Sequence, residues 1–129
     1  MTDHRSLIEK LEAATEGSRE LDLSLDECVA RDEEGRLDLH ATIRYFENQN
    51  ERLPYDNIGM EWLPHYTTSL DDARSISDWI LLELSDIGAD GLPLARLGDP
   101  SRSPPVEVSG IGADLILSLC IAGVKARTA

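Results

Sequence analysis

The stretch WLPHYTTSLDDARSI, residues 62–76, carries the decisive fold signal of this chain. Tyr66, Thr67 and Thr68 are aromatic or β-branched, types that suit extended backbone. Ser69 is a good helix N-cap, and Asp72, three residues on, places a carboxylate where first-turn N–H groups lack partners. The segment therefore reads as an extended run that turns a corner into a short helix over residues 70–76. It also gathers Trp62, His65, Tyr66 and two adjacent carboxylates, but no spacing in it specifies a reaction.

Beyond this corner, residues 79–84 (WILLEL) read as a buried strand. Residues 87–91 (IGADG) read as a turn, and residues 92–97 as the partner strand, with Pro93 pointing to an edge position. Residues 98–105 have the composition of a Pro/Ser linker, and residues 106–108 are a short extended piece. A last helix, expected over residues 111–127, holds Leu115, Ile116, Leu117, Leu119, Cys120, Ile121, Ala122 and Val124, which leave almost no polar face. Such a helix is buried on several sides. It falls short of the about 20 residues that a bilayer span needs, and Lys125 and Arg127 suit its C-terminal dipole.

On the N-terminal side, Leu7, Ile8, Leu11 and Ala14 recur at helical spacing after Asp3, and Gly17 suits the left-handed position that ends a helix. Ser18 then caps a second helix with Leu21, Leu25, Cys28 and Val29 on one face, giving a helical hairpin over residues 3–31. In residues 37–45, Leu37, Leu39, Ala41, Ile43 and Tyr45 alternate with polar residues, a period of two that favours a strand. A helix over residues 38–50 competes, because Leu39, Thr42, Ile43 and Phe46 also form a helical stripe. Residues 47–60 read as a long loop. The expected fold is a single α+β domain. In it the N-terminal hairpin and a buried C-terminal helix cover a small, mainly antiparallel sheet in α–β–α layers, with residues 36–97 as the central unit.

At 129 residues and 41% hydrophobic content the chain can bury one core. The charged N-terminus lacks the apolar run of a signal peptide, and Cys28 and Cys120 lie in apolar helical patterns, so both are expected as reduced thiols in a cytoplasmic protein. Net charge is −13, with 11 of the 25 acids in residues 1–36 and the densest run at Asp32, Glu33 and Glu34. This balance argues against direct nucleic-acid binding, which needs Lys and Arg to displace counterions. The simpler reading is a soluble, self-repelling surface, and the balance also permits an acidic surface that offers a basic partner what nucleic acid offers.

Residues 106–115 (VEVSGIGADL) have the look of a phosphate loop, but Leu115 stands where a third glycine belongs and Asp114 would repel an anion. Asp86 to Gly91 start like a calcium loop, but Gly88 and Leu97 occupy ligand positions. His4, His40 and His65 show no zinc spacing, and no GxSxG, Walker or CxxC motif is present. No metal, cofactor or assembled catalytic set is expected. The candidate binding residues are Tyr55, Trp62, His65 and Tyr66, on the aromatic side of the corner and its neighbouring loop.

Residues 7–22 (LIEKLEAATEGSRELD) and 64–76 (PHYTTSLDDARSI) resemble small proteins of alphaproteobacteria and their phages that carry a phage "ABA sandwich" domain. The closing helix, residues 113–127 (ADLILSLCIAGVKAR), is similar to the Ala/Leu-rich last helix of that family. The family usually follows its third helix with a Val-Pro-Glu-Gly-Trp-like turn where Ser75-Ile76-Ser77-Asp78-Trp79 stand here. The resemblance implies an α–β–α layered fold and a phage or prophage origin, and brings no catalytic residues.

The leading functional expectation is a non-enzymatic interaction protein, a phage or prophage accessory factor that antagonises a host protein through its acidic surface. It would need neither a membrane nor direct contact with nucleic acid. One alternative is a binder of a small, flat, nucleotide-like ligand using residues 47–69, with Tyr55, Trp62 and Tyr66 stacking. Another is a small hydrolase with His65 as base beside Glu61 or Asp71.

Overall fold

The computed structural model describes residues 4–29, 63–88 and 91–129. The expected strand over residues 37–45, the loop 47–60 and the acids Asp32, Glu33 and Glu34 lie outside the described residues, as do Tyr55 and Trp62. In chain order the elements are α1 (His4–Ala13), α2 (Arg19–Val29), α3 (Leu70–Arg74), β1 (Ile80–Ser85), β2 (Leu94–Asp99), β3 (Val106–Ile111) and α4 (Leu115–Thr128). The class is α+β: the strands form one antiparallel sheet in the order β1-β2-β3, and α4 packs against it.

The sheet's parity is set by a bulge. Leu81 pairs with Leu97 and Leu84 with Ala95, although an odd spacing would put Leu81 and Leu84 on opposite faces of a regular strand. The register shifts between Leu81 and Glu83, so Leu82 is the extra residue, and both leucines face the core. Leu82 instead lies on the other face, over Gly98, whose missing side chain leaves it room. Glu83 and Arg96 pair there at 3.4 Å. Among the described residues no element covers that face, and Ile80 is 50% exposed. Among the described residues, the run expected as a buried strand is therefore an edge strand with one covered face.

Pro93 does not make β2 an edge strand. It precedes the first residue of β2, which sits in the centre with partners on both sides. Proline is tolerated there because it ends the turn and owes no ladder hydrogen bond. The tip of the β1–β2 hairpin closes through Gly88 N to Leu92 O at 2.8 Å and Gly91 N to Gly88 O at 2.9 Å. Gly91 has φ +75°, a conformation that favours glycine. Gly98 and Asp99 belong to β2, so the expected linker reduces to a connection between two strands of one sheet, residues 100–105. Likewise β3 runs on to Ile111 and takes in Gly110, the first glycine of the run that mimicked a phosphate loop.

These glycines serve close packing. A Cβ on Gly110 would lie 2.2 Å from Ser118 O and 2.5 Å from Ala122 N, so the backbone of α4 rests almost directly on β3. Gly110 pairs with Ala95, which extends the small-residue seat across the sheet. Asp114 caps α4, accepting from Leu117 N at 2.7 Å. Ser118, buried in the first turn, accepts from Gly112 N at 2.9 Å and faces Asp114 O and Pro93 O at 2.8 and 3.1 Å. The helix therefore starts four residues after Ile111, once β3 has ended.

Residues Ser118, Ile121 and Ala122 of α4 meet β3, while Cys120 and Gly123 meet Tyr66 and Ile76. At 100° per residue these two sets lie on opposite sides of the helix. With α1 and α3 packed on α4 as well, its burial on all sides is accounted for. The N-terminal helices thus reach the sheet through α4 rather than lying on the sheet themselves. Leu7 and Leu11 of α1 and Leu25 and Cys28 of α2 are buried as their spacing indicates. No helix among the described residues is long and apolar enough to cross a membrane.

Candidate functional site

The corner is built around two carboxylates on α2. Ser18 caps this helix, accepting from Leu21 N at 3.1 Å. Asp22 and Asp26, one turn apart, are both fully buried and face residues 63–67. Asp22 Oδ1 accepts from Thr67 N at 2.8 Å and from the Thr67 hydroxyl at 2.7 Å. Its Oδ2 accepts from Arg19 Nη1 at 2.8 Å. Thr67 Oγ1 in turn accepts from Ser18 N at 3.0 Å. Both oxygens of Asp22 are thereby hydrogen-bonded, the condition under which a buried carboxylate is tolerated.

Arg19 extends the lock to the preceding residues. Nη2 donates to Leu63 O at 2.9 Å, and Nη1 reaches Pro64 O and His65 Nδ1, each at 3.1 Å. Nη1 carries two hydrogens and also serves Asp22, so its donors are shared among three neighbours. The His65 backbone N–H donates to Asp72 Oδ2 at 2.8 Å. Ser69 caps α3 as expected, accepting from Asp72 N at 3.4 Å. The Asp72 carboxylate thus reaches back past the cap to His65 N rather than to a first-turn N–H of α3.

Residues 66–68 are not extended. Thr68 N and Ser69 N both donate to His65 O, at 3.1 and 2.8 Å, so the run forms a turn. The Asp22 lock outweighs the β preference of Tyr and Thr here. Gly17 ends no helix in a left-handed conformation; α1 stops at Ala13. A Cβ at Gly17 would lie 2.3 Å from Thr67 O, and that close approach is what requires glycine.

Of the candidate binding residues, His65 is exposed and Tyr66 is 2% exposed. The Tyr66 hydroxyl donates to Asp26 Oδ1 at 2.9 Å and its carbonyl accepts from Cys120 Sγ at 3.1 Å. Its ring belongs to the core and offers no face to a ligand in solvent. The carboxylate next to His65 is Asp72, through the backbone, while Asp71 is exposed on α3 and Glu61 lies outside the described residues. Beside the lock is an open cleft of about 500 Å³ lined by residues 17–20 with Asp22, His65 and Thr68.

Cys120 and Cys28 are both buried thiols. Burial pushes the Cys120 thiol far up, with the charges of Asp22 and Asp114 adding to the shift, so it is no nucleophile. Among the described residues no three His, Cys, Asp or Glu side chains are grouped to hold a metal ion. The arrangement can position a corner and present His65 Nε2 beside a shallow cleft. A base through Nδ1 would first have to displace Arg19.

The Arg19–Asp22–Thr67 lock was missed in the sequence, although a signal was present. In LDLSLD, residues 21–26, two carboxylates sit one turn apart inside a run whose Leu23 and Leu25 are buried. Comparison with protein-family models, with curated proteins and with solved structures gave no match to this chain.

Proposed function

We propose that the protein is a non-enzymatic interaction protein that offers an acidic surface to a basic partner. The supporting observation is a row of exposed carboxylates, Glu9, Glu12, Glu16 and Glu20, along the α1–α2 unit of a chain with net charge −13. Arg5 pairs with Glu9 at 3.6 Å with both side chains open to water, so it offsets little of this field. The polar groups of the corner, by contrast, are bound to one another and to backbone, which favours a structural role for them over a catalytic one. The partner chemistry that fits is a nucleic-acid-binding protein of the host. The resemblance to phage proteins motivates the narrower reading, a phage or prophage factor antagonising such a host defence protein.

Long-range attraction between an acidic surface and a basic one raises the association rate and falls with salt. Tagged full-length chain is therefore used to capture partners from bacterial lysate at low and high salt, beside a variant with Glu9, Glu12, Glu16 and Glu20 all changed to Gln. Recovery of a basic protein that is lost both at high salt and in the variant supports the reading. Capture that ignores both, or no specific capture at all, overturns it.

A further inference from the structure

Among the described residues the sheet has one covered face and one bare face. α4 packs against the first, where Ala95, Leu97 and Val108 join the core, and α1 and α3 pack on α4 in turn. Ladder partners share a face, so the register assigns the second. At one end Ile80 stands opposite Gly98 with Leu82 beside them, and at the other Leu94 stands opposite Ile111. Between the ends Arg96 stands opposite Glu83. The exposed large apolar side chains among the described residues are Leu70, Ile80, Leu82, Ile87, Leu92 and Ile111. All but Leu70 lie on this face or at the tip of the β1–β2 hairpin. Apolar side chains gathered in this way, rather than scattered singly, mark a contact surface.

Three features select a second copy of the chain as the occupant. The first is charge. The face carries Glu83 and Glu107 against Arg96, a balance of −1 (two acids less one base), on a chain of net charge −13. Copies that repel one another elsewhere meet little repulsion here. The second is Arg96, whose ion pair with Glu83 is 3.4 Å long and partly open to water, and whose Nε is buried without a hydrogen-bond partner. An arginine with donors to spare among apolar residues is a common interface anchor, and a face holding both signs of charge is compatible with its own copy. The third is the path of the chain. Residues 30–62 depart from Val29 of α2 and rejoin at Leu63, whose carbonyl accepts from Arg19 of α2. Both ends of that stretch lie with the helices, on the α4 side of the sheet and away from the bare face.

We propose that the bare face is the contact between two copies of this chain, packed sheet on sheet about a two-fold axis. Its three six-residue strands cover roughly 15 by 20 Å. That is small beside the about 800 Å² per partner of a standard interface, so the dimer is a weak, exchanging one. The contact leaves α1 and α2 free, so a dimer displays the acidic row twice, but the inference does not rest on that row.

The test is sedimentation equilibrium of the full-length protein from about 10 μM to about 1 mM, the range a small interface requires, at low and high salt. Expected is a monomer–dimer equilibrium that strengthens with salt, because salt screens the repulsion between two chains of net charge −13 and leaves apolar contact in place. Leu82→Glu and Ile111→Glu each raise the dissociation constant by about tenfold or more. Both positions are exposed in the single chain, and if one variant fails to fold by circular dichroism the other carries the test. A monomer at every concentration and salt, a dimer that weakens with salt, a dimer that a folded Leu82→Glu or Ile111→Glu chain forms equally well, or assembly past the dimer overturns the proposal. A chain that stays monomeric and loses as much stability from Leu82→Glu as from a core substitution overturns it in favour of residues 30–62 as the cover.

Discussion

The Asp22 carboxylate and the Thr67 hydroxyl lie 2.7 Å apart in the interior and join segments 45 residues apart in the chain. Asp22 also takes the Thr67 backbone N–H, so it holds both the side chain and the main chain of one residue. The start of α2 is thereby fastened to the turn ahead of α3, and Tyr66 and Ile76 are delivered to α4. What looks in the sequence like a site is in the fold chiefly a joint.

Removing the Asp22 carboxylate breaks that joint and leaves Arg19 short of its charge partner. Arg19 has only 10% of its side chain exposed. Loss of one member of such a pair costs about 3–5 kcal/mol. Asp22→Ala is expected to lower stability by that amount in urea unfolding, and Thr67→Val by about 1–3 kcal/mol, because it takes one donor from Asp22 and leaves the Ser18 N–H without its acceptor. The double variant should fall short of the sum. Strict additivity of the two would show that they do not share one network.

Two glycines separate crowding from backbone conformation. Gly17→Ala drives a methyl group to 2.3 Å from Thr67 O, a backbone atom that cannot swing away. A loss of about 1–3 kcal/mol or more is expected, as for overpacking of a rigid site. Gly91→Ala meets open space but sits at φ +75°, so its cost is conformational, about 1 kcal/mol. Thermal unfolding of the two variants orders them, and a Gly17→Ala protein as stable as the parent would remove the close approach from the argument.

The one-sided sheet predicts unequal leucines. Leu97 is fully buried between β1 and β3 under α4, and Leu97→Ala is expected to cost about 2–5 kcal/mol. Leu82, the bulge residue, is 42% exposed on the open face, and Leu82→Ala should cost under about 1 kcal/mol. Equal losses in denaturant unfolding would mean that the open face is covered in solution.

Local signals gave the helices reliably. Leu7 with Leu11 and Leu25 with Cys28 bury as their spacing demands, Ser18 and Ser69 cap where their types suggest, and the apolar α4 is central. The expectations that failed depend on partners distant in the chain. Tyr66 to Thr68 have β propensity, yet Asp22 bends them into a turn. Pro93 marks an edge only if it lies inside a strand, and it lies just before one. The parity of Leu81 and Leu84 depends on a bulge, which alternation alone does not reveal. The site was half legible. His65 is exposed at a cleft, but the burial of Tyr66 follows from Asp26 and Cys120, 40 and 54 residues away.

The Cys120 thiol makes stability fall at alkaline pH. It is fully buried, faces Tyr66 O at 3.1 Å, and burial holds it far above the ordinary value of 9.0, with Asp22 and Asp114 adding to the effect. In the unfolded chain the same thiol ionises near that ordinary value. A group whose folded value is raised contributes stability that is fully present below the unfolded value and is lost as pH rises toward the folded one. Unfolding free energy should therefore decline above pH 9.0, with this one group contributing a slope of up to about 1.4 kcal/mol per pH unit. Cys120→Ser retains a donor for Tyr66 O but has no thiol to ionise, so its alkaline limb should be flatter even though the variant is less stable at neutral pH. Urea unfolding of both proteins across this range measures the difference, and parallel curves would mean that the thiol is not desolvated as its position in α4 indicates.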